Sequence, residues 1–261
     1  MARGLRRALR PLMSNPEDRV HGLVAALRAS PAFCGVSETT IDALARTARR
    51  RCIRRGESFF RSGDAADLVI VVTRGLVKMV RPTPDGDAIL GVFGPRDTIG
   101  LIAVLQRCPY PADAMALTNE AEAICIPSQH FVAAMARDPA LALSAARSLA
   151  YHACLLQLKI DVMTAGQVPR RIAALLVNLA ERFGDELEDG STLLPVPLSR
   201  TELSRLVGAR VETTIRILSS WQKRGLLTTG EEGFVLRSPQ TLEADVVCGE
   251  ASAPPHVPQA A

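Results

Sequence analysis

The chain has 261 residues, with 48% apolar and 22% charged side chains and a formal net charge of +4, enough apolar material for a core in one large domain or two small ones. No apolar run approaches the ~18 residues of a bilayer-spanning helix. The six cysteines, at 34, 52, 108, 125, 154 and 248, show no Cys-x-x-Cys spacing and fit the reduced thiols of a cytoplasmic protein better than a disulfide framework.

The opening "MARGLRRALRPLMS" is Arg-rich and acid-free. It lacks the apolar stretch of a secretory signal, so residues 1–19 are expected to be a basic disordered tail. From Val20 to Arg50 helix patterns dominate, and in "SETTIDALARTA" Ser37 is placed to cap a helix with Ile41, Leu44 and Ala45 on one face. From Cys52 to Pro127 the texture changes to short apolar or alternating runs, "LVIVVT", "LVKMV", "AILGVF", "TIGLIAVL" and "AEAICIP". Glycines or Asp85-Gly86 separate most of them, and this spacing predicts a small antiparallel sandwich or barrel.

From Asp138 to Gly166 a long helix is predicted. Ala142, Ala145, Leu149, His152, Leu156, Lys159 and Met163 recur at spacings of three and four, a heptad-like stripe. A lone helix of that length is marginal unless the stripe is buried, either on its own domain or on a second copy. Gly166 and Pro169 punctuate, and "RRIAALLVNLAERFG" follows as a further helix. After Ser238 the chain ends in "EASAPPHVPQAA"; residues 239–261 are expected to be disordered.

The stretch "LSRTELSRLVGARVETTIRILSSWQKRGLL", Leu198 to Leu227, carries the functional signal. Ser199 and Glu202 have capping-box spacing, and Gly208 suits the break between two helices. The second helix is expected from Val211 to Arg224, with Ile215, Leu218 and Trp221 facing the core and Gly225 ending it. "LLTTGEEGFVLRSP" then reads as two short strands about a tight turn. Helix, Gly turn, helix and hairpin make the winged helix-turn-helix plan, whose second helix enters the DNA major groove. Arg216 can donate twice to a guanine, Glu212 can accept from a cytosine amine, and Thr213 can reach a phosphate or a methyl group. Alone, Glu212 and Arg216 would read as a surface ion pair worth a few tenths of a kcal/mol; their position in the first turns of this helix favours base contact. Arg200, Arg205, Arg210, Lys223 and Arg224 offer charge for phosphates. Nucleotide-loop, nucleophile-elbow and zinc-protease motifs are absent, so an enzyme is not expected.

These residues, with the strands "RRGESFFRSGDAADLVIVVTRGLVKMVRPTPDGDAILGVFGPRDTIG" before them, resemble the Crp/Fnr transcription regulators over roughly 20–238. The resemblance implies an α+β fold with an N-terminal antiparallel, jelly-roll-like β-roll as sensor (20–137), a dimerisation helix (138–166) and a C-terminal winged helix-turn-helix (167–238). It implies a cytoplasmic homodimer on a palindromic DNA site, with RNA polymerase as a further partner. Ser199, Arg200 and Thr201 resemble phosphate-contacting positions, and Glu212, Thr213 and Arg216 the recognition face. Val211 stands where cyclic-AMP-type members have Arg. That resembles the Fnr side, whose half-sites read TTGAT rather than TGTGA, although Ile215 replaces the Fnr-type Ser. The dimer seam would hold Leu149, His152, Leu156 and Met163.

The expected effector pocket, near Gly100, Leu101, Tyr110, Pro111 and His152, departs from the family pattern. Cyclic-nucleotide binders carry Gly-Glu where this chain has Gly100-Leu101, and Arg-Ser or Arg-Thr where it has Tyr110-Pro111. Without a donor for the cyclic phosphate, and with Arg107 the remaining substitute, the effector is expected not to be cyclic AMP. Cys34 and Cys52 are 18 residues apart with no N-terminal triplet, which argues against an iron–sulfur cluster. His152 reads first as a packed or inter-subunit residue and alternatively as a haem ligand, which would make the protein a gas or redox sensor. Cys154, if buried, would be an inert small hydrophobe. A cyclic-nucleotide-binding regulator without DNA function is the other class.

Overall fold

The computed structural model describes residues 16–84, 86–239 and 242. The expected N-terminal tail lies outside the described residues up to Asn15, but 16–19 begin a helix, α1 (Pro16–Ala29), because Leu23, Val24 and Leu27 give it a face to bury. Most of the expected C-terminal tail is likewise outside them. Leu242, however, is helical and fully buried among the C-terminal helices, so the ordered chain extends past Ser238.

A 3-10 turn (Pro31–Phe33) leads to α2 (Glu38–Thr47), capped by Ser37 as expected, with Ile41, Leu44 and Ala45 buried. Strands β1 (Arg49–Arg54), β2 (Leu68–Arg74), β3 (Val77–Arg81), β4 (Ala88–Phe93) and β5 (Thr98–Ile99) follow, then α3 (Leu101–Gln106), β6 (Asp113–Ala116) and β7 (Glu120–Pro127). They form two antiparallel sheets, in the orders β1-β7-β2-β5 and β4-β3-β6. In β2, Val69 and Val71 pack under the helices while Ile70 and Val72 fill the roll. Burial on both faces is why "LVIVVT" reads as an unbroken apolar run.

"TIGLIAVL" is a strand only at Thr98–Ile99. Gly100 adopts φ 85°, with Leu68 O only 3.0 Å from where a Cβ would stand, and the rest of the run becomes α3. A short apolar run cannot be assigned to strand or helix by period alone.

Next come α4 (Ser128–Met135) and α5 (Pro139–Thr164). Asp138 caps α5 through Ala140 N and accepts from the Ser37 hydroxyl at 2.8 Å and the Ser37 amide at 3.0 Å, joining the starts of α2 and α5. The apolar stripe of α5 divides. Ala145 and His152 are buried in the chain itself and Lys159 is half-buried. Leu156 and Met163, with Ile160, stay exposed, at 55%, 37% and 60%. Together with exposed Ala146 and Ala153, and with partly buried Ala142 and Leu149, they make a 4-3-4-3 seam one position round from the expected one. His152 is therefore not part of the open seam.

The rest is α6 (Val168–Phe183), β8 (Asp185–Glu186), β9 (Thr192–Leu194), α7 (Arg200–Val207), α8 (Val211–Lys223), β10 (Leu227–Thr229) and β11 (Phe234–Leu236). The hairpin β10–β11 extends into a four-stranded sheet through β9 and β8, two strands the sequence reading lacks. The core of α6–α8 is continuous with Leu76, Ile89, Val92 and Leu117 of the roll. Polar ties cross the same boundary, Lys78 to Glu202 at 2.6 Å, Arg182 to Asp97 at 3.1 Å and Arg55 to the Pro197 carbonyl at 3.0 Å, and Lys159 of α5 donates to the Leu206 carbonyl of α7. No helix among the described residues is long and apolar enough to cross a membrane.

Candidate nucleic-acid interface and adjoining cavity

Helix α7 is started by a reciprocal cap. Glu202 N donates to Ser199 Oγ at 3.1 Å and Ser199 N donates to Glu202 Oε2 at 2.8 Å, satisfying two amides that a helix start leaves open. Burial pushes the Glu202 carboxyl up, but Lys78 and the two Ser199 donors outweigh it and hold the carboxyl below its ordinary value. Gly208, at φ 61°, ends α7, and a Cβ there would lie 2.6 Å from Met163 Cε. The left-handed backbone is what favours glycine there; the Met163 methyl is the flexible end of a side chain.

Helix α8 turns Thr214, Leu218 and Trp221 inward. Ile215, expected in the core, is 45% exposed, because the inward face runs through Thr214, whose hydroxyl donates to the Arg210 carbonyl at 3.1 Å. Glu212 and Arg216 are exposed and Val211 and Thr213 half-buried, so these residues border one outward surface with Ile215. No ion pair joins Glu212 to Arg216 among the described residues. Ser199 and Thr201 are exposed at the start of α7. Arg200 is half-buried and reaches Thr229 of the hairpin at 3.3 Å. Arg205 faces Asp87 of the roll at 3.5 Å, so its charge is partly spent within the chain. The hairpin tip carries exposed Glu231 and Glu232, which leaves phosphate neutralisation to α7, α8 and their flanks.

Behind this surface, a cavity of about 320 Å³ lies between the roll, α5 and α6–α7. Gly100, Tyr110, Pro111 and His152 line it as expected. Leu101 does not: as the first residue of α3 it turns away and is fully buried in the cluster under α1 and α2. Tyr110 stacks on Phe60 at 3.7 Å, and its hydroxyl donates to Leu68 O at 2.7 Å and accepts from Leu68 N at 3.0 Å. Burial pushes its pKa up to about 12. A neutral, saturated phenol thus stands at the position where the sequence resemblance implies an arginine in cyclic-nucleotide binders. Arg107 is exposed and lines a separate groove with Cys108 and Pro109.

His152 packs edge-on to Phe93 at 5.4 Å. Burial pushes its pKa down, a hydrogen bond to the Thr98 backbone opposes that, and Arg182 adds to the depression. Its Nε2 has no partner among the described residues. Two turns on, Lys159 lines the same cavity, and burial pushes its ammonium down to about 8. The sequence reading passed over Lys159 as a stripe member; a charged residue on an apolar stripe was the available signal. Cys154 is exposed rather than buried, and no three of His, Cys, Asp or Glu gather as metal ligands among the described residues.

Residues 50–138 match the sequence model of the cyclic nucleotide-binding domain, and residues 170–245 that of the Crp-like helix-turn-helix domain. A CRP-like cAMP-activated global transcriptional regulator of Mycobacterium tuberculosis is 29% identical over 194 residues, 74% of this chain and 86% of the relative. The transcriptional activator protein FnrA of Stutzerimonas stutzeri is 29% identical over 193 residues, 73% and 78% of the two chains. The structure of FixK2 from Bradyrhizobium japonicum shares the fold, with a TM-score of 0.65 at 22% identity over 76% of this chain and 96% of that one. A cyclic-nucleotide-type roll, a long helix and a Crp-like helix-turn-helix, in that order and with these relatives, place the chain in the Crp/Fnr family of DNA-binding transcription regulators, a family that is not enzymatic.

Proposed function

We propose that this regulator works as a homodimer, reads a palindromic site with the outward face of α8, and answers to a small molecule other than cyclic AMP held in the cavity. The observation that carries the DNA reading is the exposure of Glu212, Ile215 and Arg216 together, on a helix whose opposite face is fixed by Thr214, Leu218 and Trp221. Arg216 and Glu212 suit a G·C pair, and the Ile215 side chain suits a thymine methyl. Val211 favours a half-site nearer the Fnr type than the cyclic-AMP type, while Ile215 departs from the Fnr-type Ser. Ser199, Arg200 and Thr201 hold phosphates. Bound there, the dimer would meet RNA polymerase.

The dimer reading rests on the uncovered 4-3-4-3 stripe of α5, through Leu149, Leu156, Ile160 and Met163. A second copy of the same stripe is its natural cover, since heptad seams pair with themselves. The effector reading rests on Tyr110, whose hydroxyl is saturated by Leu68, and on Leu101, which is turned into the core: neither position offers a phosphate donor or a ribose carboxylate to the cavity.

Haem is a second reading, carried by one observation: an imidazole bound to a backbone carbonyl through one nitrogen, with Nε2 unpartnered beside the cavity. That is how a metal-ligating histidine is oriented. A macrocycle would need the cavity to widen.

Arg216→Ala removes a guanine contact and is expected to cost roughly 1–3 kcal/mol of specific binding with relaxed preference at that base pair; unchanged gel shifts on specific and random DNA would remove Arg216 from recognition. Leu156→Glu and, independently, Ile160→Glu bury like charges across the seam. Both are expected to be monomeric by light scattering and to lose most DNA affinity, because two half-sites about one helical turn apart need two linked heads. Cyclic AMP is expected to show no saturable heat below about 100 µM, roughly −5.5 kcal/mol; binding tighter than that overturns the effector reading. For haem, hemin reconstitution should give a Soret band that His152→Ala abolishes, and an identical band in the variant rejects His152 as ligand.

A further inference from the structure

We infer that the cavity takes an apolar monocarboxylic acid of medium length, with its carboxylate on Lys159 and its hydrocarbon body against the roll. The inference rests on the reading of this cavity as the effector site and adds the ligand's chemistry to it.

The lining is mostly apolar, with Ile99, Phe93, Leu155, Val162 and Leu179 as its main walls. Its charged members are Arg81, Lys159 and Arg182, and no Asp or Glu lines it. Arg182 is already committed: it donates to Asp97 at 3.1 Å, to the Val92 carbonyl at 3.0 Å and to the Tyr151 hydroxyl at 3.0 Å. Lys159 is different. It donates to the Leu206 carbonyl and is paired with no carboxylate among the described residues. An ammonium has three donors and no acceptor. A half-buried cation with one neutral acceptor is costly unless an anion joins it.

The form of the ligand follows. Arg81 is exposed to water, which leaves one half-buried unpaired positive charge in the cavity, matched by one negative charge; a phosphate dianion would bring a second with no buried partner. The volume, about 320 Å³, lies at the small end of the roughly 300–1,000 Å³ range of ligand pockets, which suits a medium-length chain. Seven residues before Lys159, about 10 Å along the same face, the unpartnered Nε2 of neutral His152 offers an acceptor. It would take a hydroxyl on the chain and would not hold the acid group.

The site can also report its occupancy. Leu206 is the penultimate residue of α7, and its carbonyl belongs to the helix end that lacks intrahelical partners. A carboxylate drawing on the Lys159 ammonium changes the tie between α5 and α7. DNA affinity and ligand affinity are then linked, by the same factor in both directions.

Calorimetry on the full chain with decanoate, and with decanol as its uncharged counterpart, tests this. Decanoate is expected to bind saturably below about 1 mM, roughly −4.1 kcal/mol. Lys159→Met should weaken decanoate by about tenfold or more, ~1.4 kcal/mol, and leave decanol unchanged, while Lys159→Arg restores decanoate. The wild-type preference for decanoate over decanol should fall as pH rises through 8, where Lys159 loses its proton. No saturable decanoate binding, or equal binding by Lys159→Met and the parent, overturns the inference. A gel shift with decanoate separates it from the effector reading. Lys159-dependent binding with DNA affinity unmoved keeps the ligand site and rejects the effector role. A decanoate effect on DNA that Lys159→Met does not alter rejects the site.

Discussion

Arg182 is the side chain on which the arrangement of the molecule turns. It belongs to α6, yet it donates into the β4 carbonyl of Val92, pairs with Asp97 and lies 4.5 Å over the ring of its neighbour Phe183. Burial pushes the Asp97 carboxyl up, against the Gly94 amide and Arg182, which favour its charged form. Neither charge is comfortable alone: removing one partner of a buried pair strands the other, whereas the pair itself adds little net stability. What the pair supplies is position. Gly94 shares that role, since a Cβ there would stand 2.6 Å from the Phe183 ring. The roll and α6 can approach only at a residue without a side chain.

With α6 held there, α7 is fixed by its neighbours. Glu202 caps α7 and takes Lys78 of β3 at 2.6 Å, with both side chains largely buried. Lys159 holds the other end of the same short helix through Leu206. A helix of eight residues is too short to persist on propensity alone; here both ends are tied to elements outside the helix-turn-helix. The ties leave α8 on the far side, with its polar first turns outward. Helix α5 meanwhile serves three surfaces with one apolar stripe: its own core at Ala145, the cavity at His152 and Lys159, and an open seam at Ile160.

That division explains what was and was not legible in the sequence. Local signals were. Ser199, Glu202 and Gly208 fix α7 by capping and backbone chemistry that three or four neighbouring residues decide, and so does Ser37 for α2. Signals that depend on which neighbour a face meets were not. Ile215 and Thr214 are adjacent, and hydropathy alone puts the isoleucine inside; the packing angle of α8 on α6 and α7 puts the threonine there, with its hydroxyl satisfied by Arg210. Leu101 departed from the pocket for the same reason, because Gly100 starts a helix where the apolar run suggested a strand. Strands β8 and β9 carry Asp185, Glu186 and Thr192 and no apolar alternation, and form only because β11 offers an edge.

Contact between the roll and α7 also decides how a signal could travel. Were the helix-turn-helix a separate body on a flexible joint, occupancy of the cavity would have no differential contact with which to bias it, and a ligand shifts an equilibrium only by such a difference. Here the cavity wall includes Leu206 of α7, Leu179 and Arg182 of α6, and His152 and Lys159 of α5. Any molecule that fills it touches the elements that set where α8 points. The apolar core shared across the boundary would resist small displacements, because a close-packed interior offers discrete arrangements and not a continuum. The Lys159 tie to the Leu206 carbonyl is the contact that the proposed anion would exchange for its own, which would give the α5–α7 junction two arrangements. In the proposed dimer, the seam on α5 would carry either state to both recognition helices at once.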